Sequence, residues 1–124
     1  MEEHILLAQN LFKKIADILE MSDISFRVIQ RRTVSTKRYI AGYINLRTKV
    51  IALDILTPKK MRPRSPNGLI RTLAHEIAHI QKMPFRQRYK GRWITRQHYP
   101  EFYQQIEKNI NKIKKDPELA GYFK

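Results

Sequence analysis

Arg71-Thr72-Leu73-Ala74-His75-Glu76-Ile77-Ala78-His79-Ile80 is the stretch around which the rest of the chain is organised. Within it, His75-Glu76-Ile77-Ala78-His79 has the form H-E-x-x-H. On a helix, positions i and i+4 stand one above the other on the same face. Two neutral imidazoles so placed suit one Zn²⁺, which favours nitrogen ligands in a tetrahedral shell. A glutamate next to the first histidine projects beside the metal. There it can take a proton from an attacking water and pass it to a leaving amine. One helical turn thus supplies two ligands and a base.

The flanks predict that helix. Ser65-Pro66-Asn67-Gly68 is a start signal, with Ser65 or Asn67 as cap and Pro66 tolerated in the first turn. Lys82-Met83-Pro84 is a stop signal. At about 100° per residue, Leu69, Ile70, Leu73, Ile77 and Ile80 form one apolar arc, with His75 and His79 on the opposite side. With only four histidines in the chain, a chance match to this spacing is rare.

Upstream, residues 2–20 predict an amphipathic helix: Ile5, Ala8, Phe12, Ile15 and Leu19 recur at three and four, widened by Leu11 and Ile18. Its early charges are acidic, which argues against a membrane-surface role. Residues 24–30 predict a strand with Phe26 and Val28 on one face, residues 31–37 an exposed connection, and residues 38–46 a second strand. Gly42 in that strand marks a bulge or a close backbone approach. Asn45-Leu46-Arg47-Thr48 is the expected turn, and residues 49–55 a third strand. Three short strands in succession suggest an antiparallel meander. Residues 57–67 carry three prolines and four cations and read as a solvated loop.

Downstream, residues 85–96 have no clean period. Phe85, Tyr89 and Trp93 recur every four, which allows a short helix, but Gly91 weakens it. A long excursion over the cleft is the expectation. Pro100 and Glu101 open a last helix with Phe102, Ile106, Ile110 and Ile113 as its buried stripe, ended by Asp116-Pro117. The fold class is therefore α/β in the segregated α+β sense: a leading helix, a small, mostly antiparallel three-stranded sheet, the metal helix and a C-terminal helix. Residues 1–115 form one domain and residues 116–124 a short tail.

With no cysteine in 124 residues, zinc would have to use histidine and carboxylate, and no disulfide staples the fold. No apolar run approaches the ~18 residues that span a bilayer, and the start of the chain lacks a basic signal. The chain is read as soluble and cytoplasmic. Its net charge is +14. Residues 27–96 hold 18 Lys and Arg against only Asp54 and Glu76. That belt suggests affinity for nucleic acid or another anionic partner, with a merely solvated surface as the other reading. Tyr39, Tyr43, Tyr89 and Trp93 among the arginines could stack on bases.

Zinc needs a third protein ligand and an open position. His98 and Glu101 are both candidates, and His4 is expected at the surface. At this point the chain resembles known families. His75, Glu76 and His79 followed by His98-Tyr99-Pro100-Glu101-Phe102 is similar to the H-E-x-x-H plus H-x-x-x-F signature of small zinc metallopeptidases. Minigluzincins are the nearest in size and layout, and SprT-like and WLM-type proteases share the signature. The resemblance covers roughly residues 1–115. It implies His75, His79 and His98 as zinc ligands, Glu76 as the base and a peptide or protein as substrate. It also implies an edge strand pairing with the substrate, here residues 49–55, so that Val50 and Ala52 would contact it. Tyr103 or Tyr99 could add a hydrogen-bond donor. Latency through the C-terminal segment is a further implication, with residues 119–123 as candidate plug and a frayed end as the other reading. Two rivals stand beside this reading: a SprT-like protease acting on DNA-bound protein, and a non-catalytic basic nucleic-acid-binding module on the same scaffold.

Overall fold

The computed structural model describes residues 2–31 and 39–123. The expected connection over residues 31–37 lies, apart from Arg31, outside the described residues. In chain order the elements are α1 (Glu2–Ile18), β1 (Ser25–Ile29), β2 (Gly42–Asn45), β3 (Val50–Asp54), α2 (Pro66–Gln81), β4 (Phe85–Tyr89), β5 (Arg92–Arg96) and α3 (Pro100–Lys114), with a 3₁₀ turn at Ala120–Phe123. The α+β class is as expected from the sequence.

The sheet is not the expected meander. Its order is β1-β3-β2, with β1 parallel to β3 and β2 antiparallel to it. β3 therefore takes the centre and has neighbours on both edges. Its buried run Ile51-Ala52-Leu53-Asp54 fits that place, since a strand covered on both faces loses alternation. Ala52 is sealed on its side of the sheet by Arg27 and Tyr43, its two cross-strand partners, whose side chains hydrogen-bond to each other. On the opposite face, Phe26, Val28, Ile51, Leu53 and Ile44 line up in register.

Two helices cover that face. α1 stacks Phe12 on Phe26 at 4.9 Å. α2 crosses β2 and β3, and α3 packs on α2. Ile15, Ile51, Leu53, Leu69, Ile70, Leu73, Ile77 and Ile113 are fully buried between these layers. The apolar arc predicted for α2 is thus the helix face that the core takes, although Ile80 at its end is only half-buried.

α2 is fixed at both ends. Ser65 is its N-cap, accepting a hydrogen bond from the Gly68 amide at 3.1 Å, with Pro66 at the first helical position. The loop before it is less solvated than its composition suggests. Arg64 donates to Ala41 O, Asp54 O, Gly68 O and Thr72 Oγ1, tying both strands to the helix start. Arg31, expected on an exposed connection, instead forms a buried ion pair with Asp54 at 2.9 Å and donates to the carbonyls of Leu56, Thr57 and Pro58.

Residues 85–96 form a β-hairpin rather than a helix or an irregular excursion. β4 and β5 pair antiparallel from Phe85↔Arg96 to Tyr89↔Arg92. Lys90 (φ 50°) and Gly91 (φ 79°) form the two-residue turn, both in the left-handed region that matches strand twist.

Candidate metal centre

His75 and His79 stand on α2 one turn apart, with ring centroids 5.1 Å from each other. His98 arrives from the segment between β5 and α3. Its ring lies 5.4 Å from His75 and 5.0 Å from His79. One nitrogen of each imidazole lies within 4.8 Å of the other two. Among the described residues this is the one such group of potential ligands. Glu101, the other candidate, is exposed at the start of α3 and outside the group. His4 is half-buried on α1, not a surface residue as expected, and also stands apart.

The three rings rest on Phe102. Its side chain is fully buried, stacked on His79 at 4.4 Å and edge-on to His75 and His98 at 5.1 Å each. Behind α2, the buried Asn109 of α3 donates to Ala74 O at 3.3 Å and to Gln81 Oε1 at 2.7 Å. The helix carrying both histidines is thereby bonded to the helix that follows the third. Phe102 was legible as part of the apolar stripe of α3. Asn109 carried no sequence signal beyond a polar residue next to Ile110 on that stripe.

Burial sets the protonation states. Desolvation, then the neighbouring His98, holds His75 below its ordinary value. Desolvation, then His75 and His98, lowers His79 to about 4. Both imidazoles are neutral near pH 7 and offer lone pairs, as metal ligation requires. Glu76, 7 % exposed, is raised to about 7 by burial alone. A carboxyl so poised can hold or release a proton near neutral pH.

The histidines open onto a cleft of about 650 Å³ lined by residues 42–46 of the β2 strand and turn, His75, Glu76, His79, Pro84, Gln97 and His98. A second cavity of about 450 Å³ continues it past Tyr39, Ile40, Gly42, Arg71 and Thr72, and Glu76 lines both. The strand bordering the cleft is β2 rather than β3. Residues 49–55 have no free edge, because β3 is paired on both sides, so Val50 and Ala52 cannot offer backbone to a substrate. β2 was readable as a strand, but the expected meander did not put it at the edge beside the cleft.

Gly42 allows this edge to sit close to α2. A Cβ there would lie 2.9 Å from Thr72 Cγ2 and 3.0 Å from Ala52 O. Close approach, one of the two readings of this glycine, is its role. Tyr99 donates its hydroxyl to Met83 O at 2.9 Å and packs on Phe85, pinning the base of the hairpin. Tyr103 is exposed, with its ring 6.3 Å from that of His98. The described part of the tail lines neither cavity, so the candidate plug does not sit in the cleft. Leu119 is buried in the core, Tyr122 O accepts from Asn67, and Phe123 lies under Arg71 and Lys114. Phe123 meets one residue that lines the second cavity, Arg71.

No family model matches the chain, and no curated protein matches it in sequence. A solved structure does. The crystal structure of the metallopeptidase zymogen abylysin from Pyrococcus abyssi aligns with 93 % of this chain and 87 % of its own, with a TM-score of 0.50 and 16 % identity. The chain therefore has a metallopeptidase-like fold. No described helix is long and apolar enough to cross a membrane.

Proposed function

We propose that the chain is a zinc metallopeptidase, with His75, His79 and His98 as ligands and Glu76 as general base. The observation that carries this is the convergence of three imidazole nitrogens within 4.8 Å beside a buried glutamate in an open cleft. The donor set fits zinc: three imidazole nitrogens, no thiolate in the chain, and open space on the cleft side for a fourth group. When bound, the ion supplies Lewis acidity and a lowered water pKa.

The chain's own residues supply the rest. Glu76, buried beside the histidines, takes a proton from the attacking water and delivers it to the leaving amine. Phe102 supports the three rings from beneath. β2 offers the substrate a template. Ala41 O accepts from Asp54 N, and antiparallel alternation then turns the backbone groups of Gly42 and Ile44 outward, toward the cleft side. An extended peptide adding to that edge would pass the histidines with its carbonyls in line.

The test is peptide hydrolysis by the zinc-loaded protein and by Glu76→Ala. Activity in the wild type, lost in the variant while zinc is retained, is the expected result. Equal turnover by both proteins would remove Glu76 from the chemistry.

A further inference from the structure

The β4–β5 hairpin has no place in the peptidase reading, yet it is the most unusual surface of the molecule. It packs against no other described helix or strand. β4 is exposed throughout, as are Arg92, Trp93 and Thr95 of β5. Twelve residues carry five cations, Arg86, Arg88, Lys90, Arg92 and Arg96, and no acidic residue occurs between Glu76 and Glu101. A ribbon with no core to build and no counter-charge is not explained by folding.

Its register sorts the side chains. Arg88 faces Trp93 across the ribbon, and Arg86 faces Thr95, so these four share one face. Trp93 is 58 % exposed, with the Arg86 guanidinium 5.4 Å from its ring. On the other face, Tyr89 is flanked by Lys90 at 5.3 Å and Arg96 at 5.6 Å. Each face thus presents an open aromatic plane beside guanidinium or ammonium groups. None of Arg86, Arg88, Lys90 and Arg92 forms an ion pair among the described residues.

We propose that this hairpin binds single-stranded nucleic acid, with Trp93 stacking on a base and Arg86 and Arg88 holding the flanking phosphates. Guanidinium matches phosphate geometry, and aromatic planes accept any base without regard to sequence. An exposed indole has little to meet on a duplex, whose bases are already stacked. A lipid bilayer is the poorer partner. The hairpin tip is Lys90-Gly91, with Arg92 beside it, and a charged tip does not enter hydrocarbon. The inference is independent of the peptidase reading, because the hairpin carries none of the candidate ligands.

Trp93 is the sole tryptophan, so its fluorescence reports the contact directly. The experiment titrates the protein with an oligothymidylate of about 20 nucleotides at low salt, then at rising salt. Quenching is expected, with log K falling against log salt at a slope of about −1.4 for the two phosphates held by Arg86 and Arg88. Arg86→Glu with Arg88→Glu should weaken binding at least tenfold. Trp93→Ala, followed by anisotropy of a labelled oligonucleotide, should weaken it about tenfold. Because the hairpin adds nothing to the core, both variants should melt with the wild type, which separates lost contact from lost fold. No quenching at low salt, unaltered affinity in the charge-reversal variant, equal affinity for a duplex, or a response only to phosphatidylserine vesicles would overturn the proposal.

Discussion

Phe102 lies face to face with His79, 4.4 Å between ring centroids and 27° between planes, while meeting His75 and His98 by its edge. The residue that anchors α3 in the core is therefore also the floor of the three-histidine cluster. Phe102→Ala should cost about 3–5 kcal/mol of stability, the range for emptying a buried phenyl site. Phe102→Leu keeps an apolar filler but loses the flat support. It should fold and yet bind zinc roughly 10–100 times more weakly, the usual scale for a residue that orients ligands. Competition with a zinc chelator measures this.

Asn109 bonds α3 to α2 at Ala74, the residue before His75. Replacing it with alanine leaves the Gln81 side chain without that partner and opens a polar void beneath the metal helix. Asn109→Ala should destabilise the protein by about 1–3 kcal/mol, read from the urea midpoint.

Gly42→Ala tests the closeness of β2 to α2. The new methyl would meet Thr72 and the Ala52 carbonyl, and a backbone carbonyl cannot swing aside. A loss of about 1–3 kcal/mol is expected, as for other overpacked positions. Peptide turnover should fall by more than zinc affinity does, because the edge strand moves while the three histidines stay.

Proton linkage gives a prediction for the metal-free protein. Burial raises Glu76 from 4.5 to about 7. Between those values the folded chain keeps a proton that the unfolded chain has released, so this group lowers stability as pH rises through the window. Glu76→Gln abolishes that slope. Its melting temperature should match wild type near pH 4 and exceed it at pH 8. His75 and His79 act in the opposite sense. Their lowered values mean that the unfolded chain takes up protons first, so stability is lost as pH falls from 6.5, to about 4 for His79. Comparing the variant with wild type at each pH isolates Glu76.

The helices and the His75–His79 pair were legible because their signals are local; the choice between His98 and Glu101, about 20 residues downstream, was not. The repeat of Leu69, Leu73 and Ile77, the Ser65 cap and the one-turn spacing of His75 and His79 lie within one window. Sheet order was not, since nothing in residues 24–30 states that they will pair in parallel with β3. A clue did exist. The unbroken apolar run Val50-Ile51-Ala52-Leu53 is what a central strand looks like. The hairpin was hidden for the opposite reason. With both faces in water, no hydrophobic pattern was required of it, and only Lys90-Gly91 marked the turn. Arg31 and Arg64 looked like surface cations because charge alone does not reveal a buried carboxylate or a row of carbonyls waiting for it.

Whether three histidines hold a metal is read from zinc content, by elemental analysis of the purified protein and of His98→Ala, each after zinc is supplied and excess removed. One zinc per chain in the wild type, largely lost in the variant, is the predicted result. An empty wild-type protein, or a variant that keeps its zinc, would contradict the three-histidine centre.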